Sequence, residues 1–137
     1  MEFVNFSIAK KLKEKGFPQS PDYFNYSSYY DWDGLRKIHS LSNASVWFDP
    51  NISRDNIYFA PIISQVLEWF RKEHHLHFEV VGAAYGHNLI ISDTPDKGGT
   101  DRYFSHTNDD GPNYAGAWDK YEDCILYGIE YVLDNLI

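Results

Sequence analysis

The spacing of hydrophobic residues changes near residue 75, and this change constrains the fold more than any other feature of the chain. Residues 61–75 place their large apolar side chains on one stripe of a helix, with charged side chains on the opposite face. Beyond that point Leu76, Phe78 and Val80 recur at every second position, which is typical of a half-buried strand. The sequence therefore predicts a helix that runs directly into a strand.

Further strands and helices are predicted on both sides of this junction. Turn-forming residues at 85–88 precede a second apolar run at 89–92, which indicates an antiparallel hairpin, and residues 102–105 are a candidate third strand. Amphipathic patterns predict two more helices, over residues 7–15 and 117–136. Gly16 and Pro18 are the residues expected to end the first of them.

Residues 19–58 have a less regular pattern. Leu35 and Ile38 are three residues apart, which favours a short helix over residues 32–41. Residues 44–48 read as a short strand ended by a turn cluster, and residues 57–59 as another extended piece. The alternation of aromatic and polar residues over 23–32 is too irregular to assign a strand.

These elements together predict the fold class. The chain has 137 residues and a mass of 16.0 kDa, which is the size of one ordinary domain. We therefore expect a single α+β domain over residues 1–137, a two-layer domain in which three helices pack on an antiparallel hairpin or three-stranded sheet.

Composition and charge restrict the classes of partner. Twelve lysines and arginines stand against 20 aspartates and glutamates, so the formal charge is −8 and general nucleic-acid binding is disfavoured. No apolar run approaches the roughly 20 residues that span a bilayer, so no membrane association is expected. Cys124 is the single cysteine, and the N-terminal residues lack the order of a secretory signal. We therefore expect a cytoplasmic protein.

The segment over residues 23–32 is the most suggestive candidate for a binding surface. Tyrosine and tryptophan combine a large apolar face with a polar tip, and both are enriched at protein interfaces. Some of these rings must belong to the core of so small a protein, so core packing and partner contact both stay open. The candidate binding residues are Tyr23, Tyr26, Tyr29, Tyr30 and Trp32.

Three histidines close together form the alternative candidate, a metal site. His75 and His77, near the junction of helix and strand, would bind a divalent ion together with a loop carboxylate such as Asp101. The competing interpretation is that His74 and its neighbours only terminate the helix, where positive charge suits the helix dipole. Because a complete zinc ligand set is absent from the sequence, we predict no cofactor and keep the metal as the alternative.

No recognised catalytic motif accompanies these candidates. Cys124 falls within an apolar helical stripe, which indicates an inert core thiol rather than a nucleophile. Residues 93–113 form a polar, glycine-containing segment that is unusually long for a small domain, which suggests a binding loop.

Three segments carry a resemblance to a known group. They are IAKKLKEKGF at residues 8–17, AP at 60–61 leading to LEWFRKEH at 67–74, and YVLDNLI at 131–137. This pattern resembles a group of small uncharacterised proteins of gut Bacteroidetes and their phages or prophages. The resemblance implies a helix, an extended strand and a closing helix in this order. It implies no catalytic residue, because no activity is known for the group.

The sequence thus predicts a small cytoplasmic binding module, related to phage or prophage proteins, whose partner is another protein or a second copy of the chain. The absence of an active-site motif and the aromatic-rich segment are the observations behind this hypothesis. The alternative is a small metal-dependent hydrolase that uses the cluster from His74 to His77.

Overall fold

The computed structural model describes residues 3–19, 26–30, 36–40 and 58–137. The chain divides into two compact units, Met1–Gln65 and Val66–Ile137. The sequence-based expectation of a single domain over residues 1–137 stays a prediction.

The first unit begins with helix α1, Phe6–Glu14. Asn5 caps its N-terminus, because the side-chain oxygen accepts a hydrogen bond of 2.9 Å from the backbone N–H of Ile8. At the C-terminus Gly16 has a φ of +91°, and Phe17 N–H donates to the carbonyl oxygen of Leu12, which is the Schellman arrangement. The predicted helix over residues 7–15 and its glycine stop are therefore confirmed.

The first unit also contains an antiparallel sheet of strands Tyr26–Tyr30 (β1), Arg36–Ser40 (β2) and Tyr58–Phe59 (β3). The strands lie in the order β2-β1-β3. The extended piece expected over 57–59 is thus confirmed at 58–59. The helix predicted over 32–41 is wrong at residues 36–40, which pair with β1. One apolar pair at helical spacing is a weak local signal, and pairing with a distant strand overrides it. The strand predicted over 44–48 lies outside the described residues.

The second unit contains a second antiparallel sheet, of strands Leu76–Ala83 (β4), Gly86–Asp93 (β5) and Asp101–Phe104 (β6). The strands lie in the order β4-β5-β6. Phe78 pairs with Ile91, which pairs in turn with Tyr103, so three large side chains share one face. The predicted hairpin and third strand are confirmed.

Two long helices accompany this sheet. Most of α2, Ile63–His74, belongs to the second unit, and its Phe70 stacks on Phe78 with ring centroids 5.8 Å apart. Helix α4, Tyr121–Asn135, places Gly128 directly against the side chains of Phe78 and Leu89. The absence of a side chain at Gly128 is what lets this helix approach the sheet so closely. The described residues therefore form the α+β fold that the sequence predicts.

Residues 93–113, predicted as a polar loop, contain more regular structure than expected. A 3-10 turn at Pro95–Lys97 precedes β6, and the short helix α3, Ser105–Asn108, follows it directly. A second 3-10 turn, Tyr114–Gly116, lies between α3 and α4. Across the described ranges, no helix has the length and apolar content needed to cross a membrane.

Candidate functional site

A cleft of about 480 Å³ opens in the second unit, between α3 and the 3-10 turn at Tyr114–Gly116. This volume lies in the range of small-ligand sites. The residues that line the cleft are His106, Asp109, Gly111, Pro112, Asn113, Tyr114 and Ala115. Five of these residues, from Gly111 to Ala115, follow one another in the chain, so one loop forms most of the cleft.

Two buried polar side chains hold this loop against strand β5. The side-chain amide of Asn88 donates to the Ser105 hydroxyl oxygen at 3.0 Å and to the carbonyl oxygen of Ala115 at 2.9 Å. The same hydroxyl oxygen accepts a hydrogen bond of 2.9 Å from the backbone N–H of Leu89. Because Asn88 and Ser105 are buried, losing either partner would leave a desolvated polar group unpaired. The Asn88–Ser105 pair therefore fixes the segment from Ser105 to Ala115 at both of its ends.

Close backbone packing fixes the middle of the same loop. Gly111 N–H donates to the carbonyl oxygen of Gly116 at 3.0 Å, and Asn113 N–H donates to that of Ala117 at 2.9 Å. A Cβ at Gly116 would overlap the carbonyl oxygen of Ser105, and a Cβ at Gly111 would overlap that of Gly116. Gly116 also has a φ of +70°, a conformation that glycine adopts without strain. The loop therefore needs glycine at both positions.

A further set of hydrogen bonds joins the loop to the tip of the β4-β5 hairpin. The side-chain amide of Asn113 donates to the carbonyl oxygen of Tyr85 at 2.8 Å and to Asp119 Oδ1 at 2.6 Å. His87 and Trp118 exchange two backbone hydrogen bonds, of 2.7 and 3.0 Å. Residues more than 25 positions apart in the chain are thereby brought together at the edge of the cleft.

This connection creates an exposed aromatic pair. The rings of Tyr85 and Tyr114 lie with their centroids 4.7 Å apart and their planes inclined by 56°. Their exposed fractions are 55% and 74%, so the contact between them leaves most of both rings in solvent. Tyr114 lines the cleft, and the pair therefore forms an aromatic wall at its mouth. Tyr121 is 48% exposed, but its ring lies edge-on to His87 and does not line the cleft.

Asp110 links the cleft loop to the sheet and to helix α4. The Tyr103 hydroxyl donates a hydrogen bond of 2.6 Å to Asp110 Oδ2. Burial, together with this bond to a carboxylate, raises the pKa of Tyr103 above its ordinary value. Burial and the same carboxylate also raise the pKa of Tyr127. Both phenols therefore stay protonated and serve as hydrogen-bond donors near neutral pH.

A second, smaller groove of about 200 Å³ runs along α4. Its two aromatic residues, Tyr127 and Tyr131, contact Tyr103 with ring centroids 6.2 and 4.4 Å away. Because these rings already pack against the sheet, the groove offers a ligand less aromatic surface than the cleft. Its lining is Tyr127, Glu130, Tyr131, Asp134 and Asn135.

Three of the five aromatic residues that the sequence indicates as binding residues lie among the described residues. Tyr23 and Trp32 lie outside the described residues, and Tyr26 and Tyr29 lie on β1. Tyr30 packs within the first unit: its hydroxyl donates to the carbonyl oxygen of Val4 at 2.8 Å, and its ring lies edge-on to Phe6 at 5.6 Å. A packing role thus accounts for Tyr30. A contact surface on the other four stays a prediction.

Two of the candidate metal ligands, His77 and Asp101, lie on strands β4 and β6, on either side of β5. His77 pairs with Ser92, and Ser92 pairs with Asp101, so two inter-strand spacings, about 10 Å, separate the backbones of His77 and Asp101. His75 directly follows the last residue of α2 and has a left-handed conformation, with a φ of +56°. In the part of the chain that the structure describes, no group of three or more His, Cys, Asp or Glu side chains could hold a metal ion. A metal-dependent hydrolase therefore gains no geometric support here and stays a prediction.

The sequence predicts the cleft only in part. His106, Asp109 and residues 111–113 belong to the segment suspected of forming a binding loop, but neither Tyr85 nor Tyr114 was proposed as a contact residue. The available signal was their position: both tyrosines lie in turn-forming segments, outside the amphipathic elements that supply a core. An aromatic residue in such a place has little local apolar surface to pack against.

Comparisons with known proteins add no further constraint on the site. No protein family, no curated protein and no solved structure matches this chain. The chemistry of the cleft is therefore the basis for a functional assignment.

Proposed function

We propose that this protein is a small binding module and that its contact site is the aromatic cleft, defined as the cleft residues together with Tyr85. The observation that carries the proposal is the exposed contact between Tyr85 and Tyr114 beside a cleft of ligand size. Tyrosines in such positions supply large, rigid contact area and are among the residues that dominate binding energies. The structural cost of exposing both rings is offset when a partner covers them.

The preorganisation of the loop also favours binding. Hydrogen bonds of Asn88 and Asn113 join the loop to strand β5 and to the tip of the β4-β5 hairpin, and its glycines pack against neighbouring backbone. A contact surface that is already ordered loses less conformational entropy when a partner docks. The aromatic cleft therefore has the rigidity that a recognition site needs.

The lining favours binding over covalent catalysis. None of the seven cleft residues is a serine, threonine, cysteine or lysine, so the cleft itself supplies no side-chain nucleophile of these types. His106, which does line the cleft, packs its ring on the ring of Phe104, with the two ring centroids 5.5 Å apart. Cys124, the single thiol of the chain, is fully buried, and burial raises its pKa to about 11.

The proposal extends to the setting of the protein. We place it in the cytoplasm and group it with the small phage and prophage proteins of gut Bacteroidetes that three of its segments resemble. A free, buried cysteine and no disulfide are compatible with a reducing compartment. A charge of −8 opposes binding to nucleic-acid backbones, so the proposed partner is a protein or a second copy of the chain.

Affinity capture from an extract of a gut Bacteroidetes species, quantified by mass spectrometry, tests the proposal. Tyr85→Ser/Tyr114→Ser is the disruptive variant, and Tyr121→Ser is the matched control because it removes an exposed tyrosine that does not line the cleft. We expect a partner retained by the unmodified chain and the control, and reduced about tenfold or more by the double variant. Equal recovery by all three proteins, or no partner for the unmodified chain, would contradict the proposal.

A further inference from the structure

We infer that the aromatic cleft takes an arginine side chain from a basic segment of a partner protein. This inference rests on the proposed function and specifies the chemistry of the partner. The polar atoms that the cleft offers, the aromatic wall at its mouth and the charge of the surrounding surface each favour a planar cation.

Two polar side chains of the cleft, those of Asn113 and Asp109, present acceptors to a ligand. Both donor positions of the Asn113 amide are directed at protein atoms, Tyr85 O and Asp119 Oδ1, which leaves its carbonyl oxygen as the remaining polar atom. Asp109 is exposed, and its carboxylate makes no hydrogen bond or ion pair with another described residue. Guanidinium carries five N–H donors and no acceptor, so its hydrogen-bonding pattern complements these two groups.

The aromatic wall complements the shape of the same ligand. Tyr114 is 74% exposed and borders the cleft, so one face of its ring is accessible to a flat group. Guanidinium stacks on aromatic faces through cation–π attraction and is less strongly hydrated than ammonium. An arginine that lies against Tyr114 would therefore keep its donors free for Asp109 and Asn113.

The surrounding charges disfavour an anionic ligand and favour a cationic one. Between residues 105 and 123 five carboxylates accompany a single lysine, Lys120. The whole chain carries a formal charge of −8, which attracts a basic segment over a distance of about a Debye length. A neutral ligand such as a sugar would gain no binding energy from this excess of negative charge. The partner surface is thus expected to be rich in arginine.

A titration followed by NMR tests the inference on the isotopically labelled full chain. The probe is a short glycine/arginine peptide, and its control is the same peptide with citrulline, a neutral isostere of arginine, at each arginine position. We expect the arginine peptide to shift the amide signals of Tyr85 and of residues 105–116. Removing the charge should weaken binding about tenfold, the combined effect of cation–π and ion-pair attraction.

Three variants assign the effect to the cleft. Tyr114→Ser and Asp109→Asn should each weaken binding of the arginine peptide about two- to fivefold. Glu79→Gln removes the same charge from the exposed side of β4, outside the cleft, and should leave binding unchanged. Because all three side chains are exposed, a well-dispersed amide spectrum should be retained, and this is checked on each variant before titration.

The outcomes separate this inference from the proposed function. Equal affinity for the two peptides, no binding of the arginine peptide, or equal weakening by Asp109→Asn and Glu79→Gln would overturn the inference. If affinity capture still depends on Tyr85 and Tyr114 in such a case, the binding module stands with a different partner chemistry. If capture fails as well, both proposals fall.

Discussion

The side-chain amide of Asn88 donates a hydrogen bond of 2.9 Å to the carbonyl oxygen of Ala115, a residue held in a left-handed conformation with a φ of +62°. A left-handed alanine costs about 1–2 kcal/mol relative to its ordinary conformation. This hydrogen bond helps to offset the strain, because breaking it would leave the buried Asn88 amide without this acceptor. The shape of the aromatic cleft therefore depends on a residue of strand β5 that does not line it.

Asn88→Ala tests this dependence. We expect a loss of about 1–3 kcal/mol in the free energy of unfolding, because Ser105 and Ala115 both lose a buried donor. Amide hydrogen exchange over residues 105–116 should accelerate as well. Asn108→Ala is the control, since it removes an exposed hydrogen bond to Phe104 O, and should cost less than about 0.5 kcal/mol. Denaturant unfolding measures both losses. Equal losses in the two variants would show that the buried Asn88 side chain contributes no more to stability than the exposed Asn108 side chain does.

Two glycine-to-alanine substitutions distinguish the stability cost of backbone strain from the stability cost of close packing. Gly99 has a φ of +65°, and an added Cβ would meet no atom within 4 Å, so Gly99→Ala should cost only the strain of the left-handed conformation, about 1 kcal/mol. Gly116 has a similar φ, but an added Cβ would overlap backbone of Ser105. Gly116→Ala should therefore cost at least about 2 kcal/mol more, since backbone must move. Similar melting temperatures for the two variants would contradict the tight loop packing.

His75 offers a test between helix termination and metal binding. Because it follows α2 with a φ of +56°, His75→Gly should stabilise the protein by about 0.5–1 kcal/mol. His77→Gly, within strand β4, should instead destabilise it by a similar amount, about 0.5–1 kcal/mol. Thermal unfolding with and without added zinc measures both effects. A zinc-dependent stabilisation that both variants abolish would favour the metal site.

His74 should make stability depend on pH. Burial, which disfavours the charged imidazole, lowers its pKa below the ordinary value of 6.5, and its ring lies edge-on to Trp69 at 4.6 Å. The unfolded chain therefore binds a proton more readily than the folded one. Stability is fully present above about pH 6.5 and falls as the pH drops through the folded-state pKa. His74→Gln should flatten this part of the profile in urea unfolding at pH 5–7. An unchanged slope would contradict the role of His74.

Cys124 should be chemically silent in the native protein. Its side chain is fully buried in α4, and burial raises the pKa of the thiol to about 11. An aromatic disulfide reagent at pH 8 should therefore react with the Cys124 thiol only when the protein unfolds. The reaction should be slow in buffer. In denaturant the same thiol should react at once, which provides the internal control. Rapid labelling of the native chain would place the thiol at the surface.

Most regular elements of the second unit, and the end of α1 in the first unit, could be predicted from the sequence because their signals are local. The helical stripe that ends at His74 and the alternation that starts at Leu76 are each repeated over several residues. The cap at Gly16 is similarly encoded within one turn. Such patterns arise from the period of the backbone itself, so they indicate α2, β4 and the end of α1 without knowledge of any distant contact.

The first-unit sheet and the cleft depended on contacts between distant residues. Arg36–Ser40 forms a strand because β1 pairs with it, and Tyr30 is a packing residue because Val4 and Phe6 lie beside it. The cleft requires Asn88 to meet Ala115 and Tyr85 to meet Tyr114, at separations of 27 and 29 residues. The amino-acid sequence alone determined the periodic elements and the α+β class. Only the tertiary structure decided which turn residues became neighbours, because that choice depends on the summed energy of many non-local contacts.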